Sequence, residues 1–326
     1  MIKFATIGTS IITEEFIKSA IKNPNIKITC CYSRDKVKAK ELIKKFQLYA
    51  KAVDQFEILV DEIDAIYIAS PNGLHYEQAK YFLLQQKHVF LEKPLTLKYE
   101  QAIELFEIAN KNNVILMEAY KTVHAPQFSN LIEFVKNFQP FMASFNLNKY
   151  SSRMQKVKLG IYDSVFDANL GKGSTYDLLV YPVELSIALF GPVKELKAMG
   201  QKLPNGSGLN DYVIIKHEND VIVSIVCSKA SEGKINNQIL SDNATLVFNN
   251  VIQLEKVELY NNIDSSKKVL FVKDENQNLF DYELSVFCKM ILTNNFDLRD
   301  YLLETSCEAV RVLNLIEKNQ EELGEN

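Results

Sequence analysis

The stretch SPNGLHYEQAKYFLLQQKHVFLEKPLT, residues 70–96, decides how this chain folds. It begins where the apolar run AIYIAS (65–70) ends, passes through a helical segment at 74–86, and reaches a second apolar run, HVFLE (88–92). Apolar runs that are continuous rather than alternating are typical of strands buried on both faces, and such strands are parallel. Two parallel strands joined by a helix form a right-handed crossover unit. The stretch therefore predicts a doubly wound α/β sheet.

The same pattern of strands and helices fills roughly the first 120 residues. The other predicted strands there are IKFATI (2–7), IKITCCY (26–32) and VILME (114–118). The other predicted helices cover 12–22, 36–46 and 99–112. Repeated alternation of this kind gives a parallel sheet that binds ligands beyond the carboxyl ends of its strands. We expect residues 1–120 to form a dinucleotide-binding Rossmann domain.

A different pattern begins after about Gln127. The segment FMASFNLN (141–148) alternates apolar and polar residues, as a half-buried antiparallel strand does. Further strands are predicted at 193–200, 211–217, 221–228, 244–248, 251–260 and 267–272. Helices are predicted at about 174–190, where Gly191 and Pro192 end the helix, at 279–292 and at 298–317. Residues 121–326 are therefore expected to form an α+β domain on a mostly antiparallel sheet.

Composition excludes several classes of function. The chain is 47% hydrophobic and 24% charged with a net charge of −4, which gives no basic surface for nucleic acid. No apolar run approaches the ~18 residues that cross a bilayer, and the start MIKFATIG lacks the features of a signal peptide. Five cysteines without C-x-x-C spacing are typical of buried thiols in a reducing compartment, and four scattered histidines argue against a metal site. We expect a cytoplasmic protein that acts on a small molecule.

The loop after the first strand stands where a dinucleotide-binding protein has G-x-G-x-x-G. Its residues are Gly8, Thr9, Ser10, Ile11, Ile12 and Thr13. Gly8 keeps the glycine of the tight turn, whereas Ser10 brings a hydroxyl that could donate to a phosphate oxygen. Thr13 either crowds the contact between helix and strand or caps the helix. The loop is compatible with an ordinary turn, but its place at the carboxyl end of a strand favours a nucleotide loop with substituted glycines.

The second strand ends at CYSRDK, where an NAD-binding protein places an acidic residue for the ribose hydroxyls. This chain has Ser33 and Arg34 there, and Lys38 follows one helical turn later. A hydroxyl and a guanidinium suit the 2′-phosphate of NADP(H). A solvated basic helix face is the alternative, and Asp35 keeps NAD(H) as a second choice of cofactor.

Two turns lie at the carboxyl edge of the predicted sheet. Ser70, Pro71 and Asn72 follow one buried strand, and Glu92 and Lys93 end the next. A lysine at this edge can donate to a developing alkoxide or steady a neighbouring acid. The alternative is an ordinary loop lysine.

These motifs together resemble one family. The pattern SPNGLHYEQA…QQKHVFLEKPLT is similar to T-P-N-x-x-H…G-K-H-V-x-x-E-K-P, the signature of the Gfo/Idh/MocA oxidoreductases. The resemblance continues through MEAYKTVHAPQF (117–128), GKGSTYDLLVYPVELSIALFG (171–191) and the segments YELSVFCKMI and LETSCEAVRVLNLI near the end. It covers nearly the whole chain.

The resemblance implies roles for several residues. Asn72, His75 and Glu92 would lie around the ribose and nicotinamide, and the Lys93–Pro94 peptide would be cis, which is cheap only before proline. His124 would lie near substrate, although a structural histidine is the alternative. Residues 121–326 would bind substrate and form a homodimer through their sheet.

The Asp177–Tyr181 pair, preceded by Gly171 and Gly173, resembles the branch of dimeric dihydrodiol dehydrogenase, D-xylose dehydrogenase and glucose–fructose oxidoreductase. Residues four apart in one helix share a face and can enter one pocket. A tyrosine titrates near ~10, and a nearby cation such as Lys93 would favour the phenolate. The alternatives are a surface acid and a core aromatic residue.

The sequence thus predicts an NADP-preferring oxidoreductase of a sugar, polyol or vicinal diol. Tyr181 would exchange the hydroxyl proton, Lys93 would tune the tyrosine and position the substrate oxygen, and Asp177 would orient the substrate or Lys93. The alternative is a ligand-sensing or partner-binding protein that kept the fold without turnover, because Ser10 and Thr13 alter the cofactor loop.

Overall fold

A computed structural model describes residues 1–324, and the chain groups into two compact units. The first unit contains residues 1–120 and 278–307, and the second contains residues 121–277 and the chain from 308 onward. The chain therefore passes from the first unit to the second after Tyr120, returns at Asn278, and passes to the second unit again after Cys307. The assignment of functional domains to 1–120 and 121–326 stays a prediction.

The first unit is built on a six-stranded parallel sheet. Its strands are β1 (Ile2–Ile7), β2 (Ile26–Tyr32), β3 (Lys51–Val53), β4 (Ala65–Ile68), β5 (His88–Glu92) and β6 (Leu116–Ala119). They lie in the order β3-β2-β1-β4-β5-β6, and every neighbouring pair is parallel. This is the strand order of a Rossmann fold, so the predicted fold class of this part is confirmed. The short β3 was not predicted, because three residues carry too little periodicity.

Helices connect these strands and continue through the second unit. The helices that connect strands β1 to β6 are α1 (Ile11–Ala20), α2 (Lys36–Lys45), α3 (Glu57–Val60), α4 (His75–Leu84) and α5 (Tyr99–Asn112). Those that follow are α6 (Phe128–Phe138), α7 (Met154–Lys158), α8 (Ser174–Asp177), α9 (Val180–Phe190), α10 (Leu279–Thr293) and α11 (Phe296–Gly324). The sequence pattern did not predict α3, α6 or α7.

Aromatic side chains form the core of the first unit. Phe16 of α1 stacks on Tyr67 of β4 with ring centroids 4.0 Å apart. From α10, Phe287 stacks on Phe90 of β5 at 5.1 Å and lies 5.8 Å from Phe4 of β1. Because α10 covers the sheet with these buried contacts, residues 278–307 pack with the first unit.

The second unit is built on an eight-stranded sheet. Its strands are β7 (Met142–Asn148), β8 (Val193–Lys202), β9 (Gly208–His217), β10 (Ile222–Ser228), β11 (Asn237–Leu240), β12 (Ala244–Phe248), β13 (Lys256–Asn261) and β14 (Lys267–Val272). The order is β14-β13-β12-β11-β7-β10-β9-β8. The predicted mostly antiparallel sheet is confirmed. One pair differs from the prediction, since β7 is antiparallel to β11 but parallel to β10.

The single helix predicted at 174–190 is wrong. The chain forms two helices, α8 and α9, with a break at Leu178 and Leu179. Pro182 has no N–H to donate to Leu178 O, which instead accepts from Tyr181 N at 3.1 Å. Asp177 and Tyr181 therefore belong to different helices, and the rule for residues four apart in one helix does not apply to them.

Candidate functional site

The carboxyl edge of the parallel sheet begins with Gly8, directly after β1. Gly8 has φ +109°, and a Cβ atom there would lie 2.6 Å from Ala69 O, at the end of the neighbouring strand β4. Only glycine fits so close a backbone approach at a positive φ. The turn therefore requires glycine at this position.

The N-terminus of α1 is left open for an anion. Ser10 is the N-cap residue, and its side chain makes no capping hydrogen bond to the helix. The N–H groups of a first helical turn have no partner within the helix and can bind phosphate. Thr13 is fully buried, and its hydroxyl has no hydrogen-bond partner among the described residues. Of the remaining loop residues, Thr9 and Ile12 are half-buried and Ile11 is exposed. These groups fit the pyrophosphate of a dinucleotide.

At the end of β2, one side chain caps the next helix and two cationic side chains are exposed. Asp35 is the N-cap of α2, and its carboxylate accepts from Val37 N at 3.0 Å. The hydroxyl of Ser33 accepts from Asp35 N at 3.2 Å, whereas Arg34 and Lys38 are exposed. Asp35 is therefore engaged by the helix but exposed, and Arg34 and Lys38 are exposed cations beside it.

The turn after β4 is tied together by His75. Its ring is fully buried, with Nε2 3.0 Å from Ser70 O and Nδ1 2.9 Å from Pro94 O. Burial lowers the pKa of His75 to about 4, so the ring is neutral at pH 7. A neutral imidazole carries one N–H and donates to one of these carbonyls at a time. His75 supports both turns from beneath, and its predicted contact with a cofactor stays a prediction.

The other members of this turn lie nearer the surface. Pro71 and Asn72 are half-buried, and Asn72 opens a short 3₁₀ helix ahead of α4. Ser70 donates from its hydroxyl to Gln78 Oε1 at 2.7 Å. The hydrogen bonds of Ser70 and His75 hold this turn at the edge of the sheet.

The end of β5 carries Glu92 and Lys93. Tyr67 of β4 donates to Glu92 Oε1 at 2.6 Å inside the core, so the glutamate is fixed by the neighbouring strand. Lys93 follows at the edge and is half-buried. The Lys93–Pro94 peptide is cis, as expected from the resemblance. The structure thus brings Gly8, Ser70 and Lys93 to the ends of the three adjacent strands β1, β4 and β5.

In the second unit, Asp177 at the end of α8 forms an ion pair with Lys229. The ammonium of Lys229 donates to Asp177 Oδ2 and lies 6.0 Å from the centre of the Phe166 ring. The sequence reading missed Lys229, which follows β10 in the run CSKAS. A lysine directly after an alternating strand was the only signal, and many surface lysines share it.

Tyr181 lies on α9 with 9% of its surface exposed. The neighbouring Tyr176 is different, since its hydroxyl donates to Glu317 Oε2 at 2.8 Å and accepts from Asn314 Nδ2 at 2.9 Å. Burial, followed by the charge of Glu317, raises the pKa of Tyr176. Tyr176 is therefore held as a neutral core group.

The glycines ahead of α8 have a structural cause. A Cβ on Gly173, which has φ +76°, would lie 2.0 Å from Gly208 O of β9, and one on Gly171 would lie 2.3 Å from Val165 O. The hydroxyls of Ser174 and Thr175 then donate to the buried Asp211 of β9 at 2.5 and 2.8 Å. This packing fixes the start of α8, and Asp177 ends the same helix.

The described part of the chain has no group of three or more His, Cys, Asp or Glu side chains placed to hold a metal ion. Within the same residues, no helix is both long enough and apolar enough to span a bilayer.

Two family models match the chain. The Oxidoreductase family, NAD-binding Rossmann fold, matches residues 2–120, and the GFO/IDH/MocA C-terminal domain matches residues 147–247. A curated relative, scyllo-inositol 2-dehydrogenase (NADP(+)) of Bacillus subtilis, is 32% identical over 96% of this chain and 95% of its own length. The dTDP-3,4-didehydro-2,6-dideoxy-alpha-D-glucose 3-reductase of Streptomyces antibioticus is 24% identical over 62% of this chain and 60% of its own.

Solved structures share the fold. A 3-ketoreductase from Actinomadura kijaniata, in complex with NADP and TDP-benzene, superposes with a TM-score of 0.85 at 19% identity, over 98% of this chain and 97% of that chain. The UDP-N-acetylglucosamine 3-dehydrogenase of Acidithiobacillus ferrooxidans superposes with a TM-score of 0.81 at 13% identity, over 98% of both chains. At these identities the likeness shows the fold.

Proposed function

The chain belongs to the Gfo/Idh/MocA family of NAD(P)-dependent oxidoreductases, and from this premise we propose that it transfers a hydride between a nicotinamide cofactor and a sugar, polyol or vicinal diol. One observation carries the proposal. Gly8, Ser70 and Lys93 follow the three adjacent strands β1, β4 and β5 at the carboxyl edge, and the strand order reverses between β1 and β4. That edge is where open α/β sheets bind their ligands.

The proposed cofactor is NADP(H), with NAD(H) as the alternative. The open N-terminus of α1 and the Gly8 turn would hold the pyrophosphate, and Ser33, Arg34 and Lys38 would hold the 2′-phosphate. The exposed cations Arg34 and Lys38 support this preference, whereas Asp35, which is exposed and caps α2 through Oδ1, keeps NAD(H) as the alternative. The Bacillus relative is named for NADP(+), and the Actinomadura enzyme contains NADP.

The proposed catalytic residues are Lys93, Asp177 and Tyr181. When bound, the nicotinamide supplies or accepts the hydride. Tyr181 exchanges the proton of the substrate hydroxyl, and Lys93 donates to the same oxygen as negative charge develops on it. Asp177 accepts from a second substrate hydroxyl. Gly171, Gly173 and the Asp177–Tyr181 pair support the branch of dihydrodiol and D-xylose dehydrogenases.

The proposed substrate class is a hydroxylated carbon ring or chain. The relatives are named as a 2-dehydrogenase of scyllo-inositol and a 3-reductase of a dTDP-linked dideoxyglucose. Asp177, an acceptor with 26% of its side chain exposed, suits a substrate hydroxyl.

We also propose a homodimer through the open face of the eight-stranded sheet. Cross-strand pairs place Met142 beside Ile222 and Met199 beside Tyr212, and these side chains are 40–69% exposed. A groove of about 500 Å³ lies on the same face, beside Met199 and Tyr212. An exposed apolar surface of this kind is typical of an interface. Light scattering that gives the mass of one chain would contradict the dimer.

The cytoplasmic location is part of the proposal as well. All five cysteines are buried free thiols, which suits a reducing compartment. Fractionation of the source cells tests this assignment.

Calorimetric melting with NADPH, NADH, NADP and NAD tests the cofactor assignment first, because a chain without tryptophan gives a weak fluorescence titration. A ligand at 100 times its Kd adds about 2.7 kcal/mol to the stability of the native state. We expect a shift with NADPH that exceeds the shift with NADH. Spectrophotometric assays with scyllo-inositol and NADP then test turnover. No shift with any of the four would favour the sensing protein instead.

A further inference from the structure

Lys229 is a buried cation that no motif of the family resemblance includes. Its side chain is 7% exposed, and its ammonium is paired with Asp177. We propose that Lys229 is a positioning residue: it holds Asp177 Oδ2, so that the other carboxylate oxygen faces a substrate hydroxyl. The inference rests on the proposed function, because it concerns how Asp177 meets substrate.

The backbone of Lys229 is fixed on both sides. Its N–H donates to Leu209 O of β9 at 3.0 Å, and its carbonyl accepts from Ser151 N at 2.9 Å. Lys229 directly follows Ser228, the last residue of β10. The Cα atom is thus held between two chain segments, so the ammonium has little freedom apart from its own side-chain torsions. A fixed Cα is what a positioning residue needs.

An aromatic ring lies beside the ammonium that Asp177 pairs with. Phe166, which is fully buried, presents its ring 6.0 Å from Nζ. The carbonyl of Phe166 accepts from Asn205 Nδ2 at 2.7 Å and from the Ser207 hydroxyl at 2.8 Å, so the backbone that carries the ring is held. A desolvated ammonium beside an aromatic ring needs a paired carboxylate.

The two partners differ in exposure, which shows which of them lies nearer the surface. Lys229 is 7% exposed, but Asp177 is 26% exposed, so the lysine lies behind the carboxylate and the carboxylate remains accessible. A carboxylate has about four acceptor sites, so it can accept from more than one donor. Because the lysine balances its charge, Asp177 suits an uncharged hydroxyl group rather than a cation. The pair therefore suits a hydroxyl group of a neutral polyol or sugar.

Steady-state kinetics with scyllo-inositol and NADP as the probe test the inference. The variants are Lys229→Met, Lys229→Arg and the control Lys216→Met. Lys216 is an ion-paired lysine of the same sheet, 3.1 Å from Asp220, and lies near the other end of β9 from Leu209. We expect Lys229→Met to lower kcat/KM by about 10-fold to 100-fold, mainly through KM, since a hydrogen bond to a charged group is lost. Lys229→Arg should recover most of this loss, and Lys216→Met should stay within about 2-fold of the parent enzyme.

The double variant Asp177→Asn with Lys229→Met separates positioning from folding. It leaves no unpaired buried charge, so it also serves if Lys229→Met fails to fold. We expect the double variant to lose no more kcat/KM than Asp177→Asn alone, because the lysine acts through the aspartate. The inference would be overturned if the loss of kcat/KM in the double variant equalled the product of the two single losses. It would also be overturned if Lys229→Met had the kcat/KM of the parent enzyme, and in both cases the proposed function would stand. A parent enzyme with neither a cofactor-induced melting shift nor turnover would overturn the proposed function, and the inference with it.

Discussion

The two halves of the proposed chemistry are held in different ways. In the first unit, Gly8, Ser70 and Lys93 stand at the ends of neighbouring strands and are placed by the backbone of the sheet. In the second unit, Asp177 is placed by a side chain 52 residues away, Lys229. Backbone placement tolerates a change of side chain, whereas ion-pair placement depends on both partners. The first half should therefore respond to mutation residue by residue, and the second should respond as a coupled pair.

The largest effect is expected at the reacting groups. Tyr181→Phe removes the proposed proton donor and Lys93→Met the proposed donor to the substrate oxygen, so each should lower kcat by about 100-fold to 10,000-fold. Melting shifts with NADPH should stay near the parent value for Tyr181→Phe, which lies outside the Rossmann unit. Steady-state assays measure kcat, and unaltered turnover in either variant would remove that residue from the mechanism.

Three glycine-to-alanine variants compare backbone crowding in the two units. Gly173→Ala places a Cβ 2.0 Å from Gly208 O, and Gly8→Ala places one 2.6 Å from Ala69 O, both at positive φ. Gly191 is the control, because its φ is +82° but no atom lies within 4 Å of the added Cβ. Strain alone costs about 1–3 kcal/mol, and a clash adds about 1–3 kcal/mol more. Urea unfolding should show the largest loss of stability for Gly173→Ala, a smaller one for Gly8→Ala and the smallest for Gly191→Ala. A different order would contradict the crowding argument.

Acid should weaken both units, because each contains two of the four histidines. Burial lowers the pKa of His75, His88 and His124 to about 4 and also lowers the pKa of His217. Unfolded histidines titrate near ~6.5, so between these values the unfolded chain binds more protons. Their contribution to the free energy of unfolding is full above pH ~6.5 and is lost as pH falls toward 4.

The buried His75 sets the scale of this loss. A shift from 6.5 to about 4 corresponds to about 3 kcal/mol, at about 1.36 kcal/mol per pKa unit. Urea unfolding between pH 7.5 and 5 measures the slope. His75→Asn and His217→Asn, one from each unit, should each flatten it. An unchanged slope in either variant would show that its histidine does not contribute.

The smallest effect is expected at two helix N-caps of the first unit. Asp35→Ala removes a capping bond to Val37 N and should cost about 1 kcal/mol of stability. Ser10→Ala removes a side chain that makes no such bond, so stability should change little while the NADPH-induced melting shift decreases. Calorimetry with and without NADPH measures both quantities. Equal stability losses, with the NADPH shift intact, would contradict a phosphate role for Ser10.

Much of the first unit could be predicted from sequence. The limits of β1, β2, β5 and α5 agree with the predicted segments, because continuous apolar runs are strong local signals. In the second unit, β11 was missed and β13 begins at Lys256 rather than at 251. The residues before β13 form a turn in which Leu254 has φ +48°, and hydrophobicity alone does not report such a turn.

The sequence by itself determined the parallel sheet and the strand ends that carry Gly8, Ser33, Ser70 and Lys93. It could do so because the period of apolar residues is local, and the carboxyl ends of parallel strands meet at one edge. The break between Asp177 and Tyr181 has a local cause in Pro182, which the period of apolar residues does not report. Only the tertiary structure decided that Asp177 pairs with Lys229 and that Gly173 meets Gly208. These two contacts join segments distant in the chain and depend on strand order and register, which local periodicity does not contain.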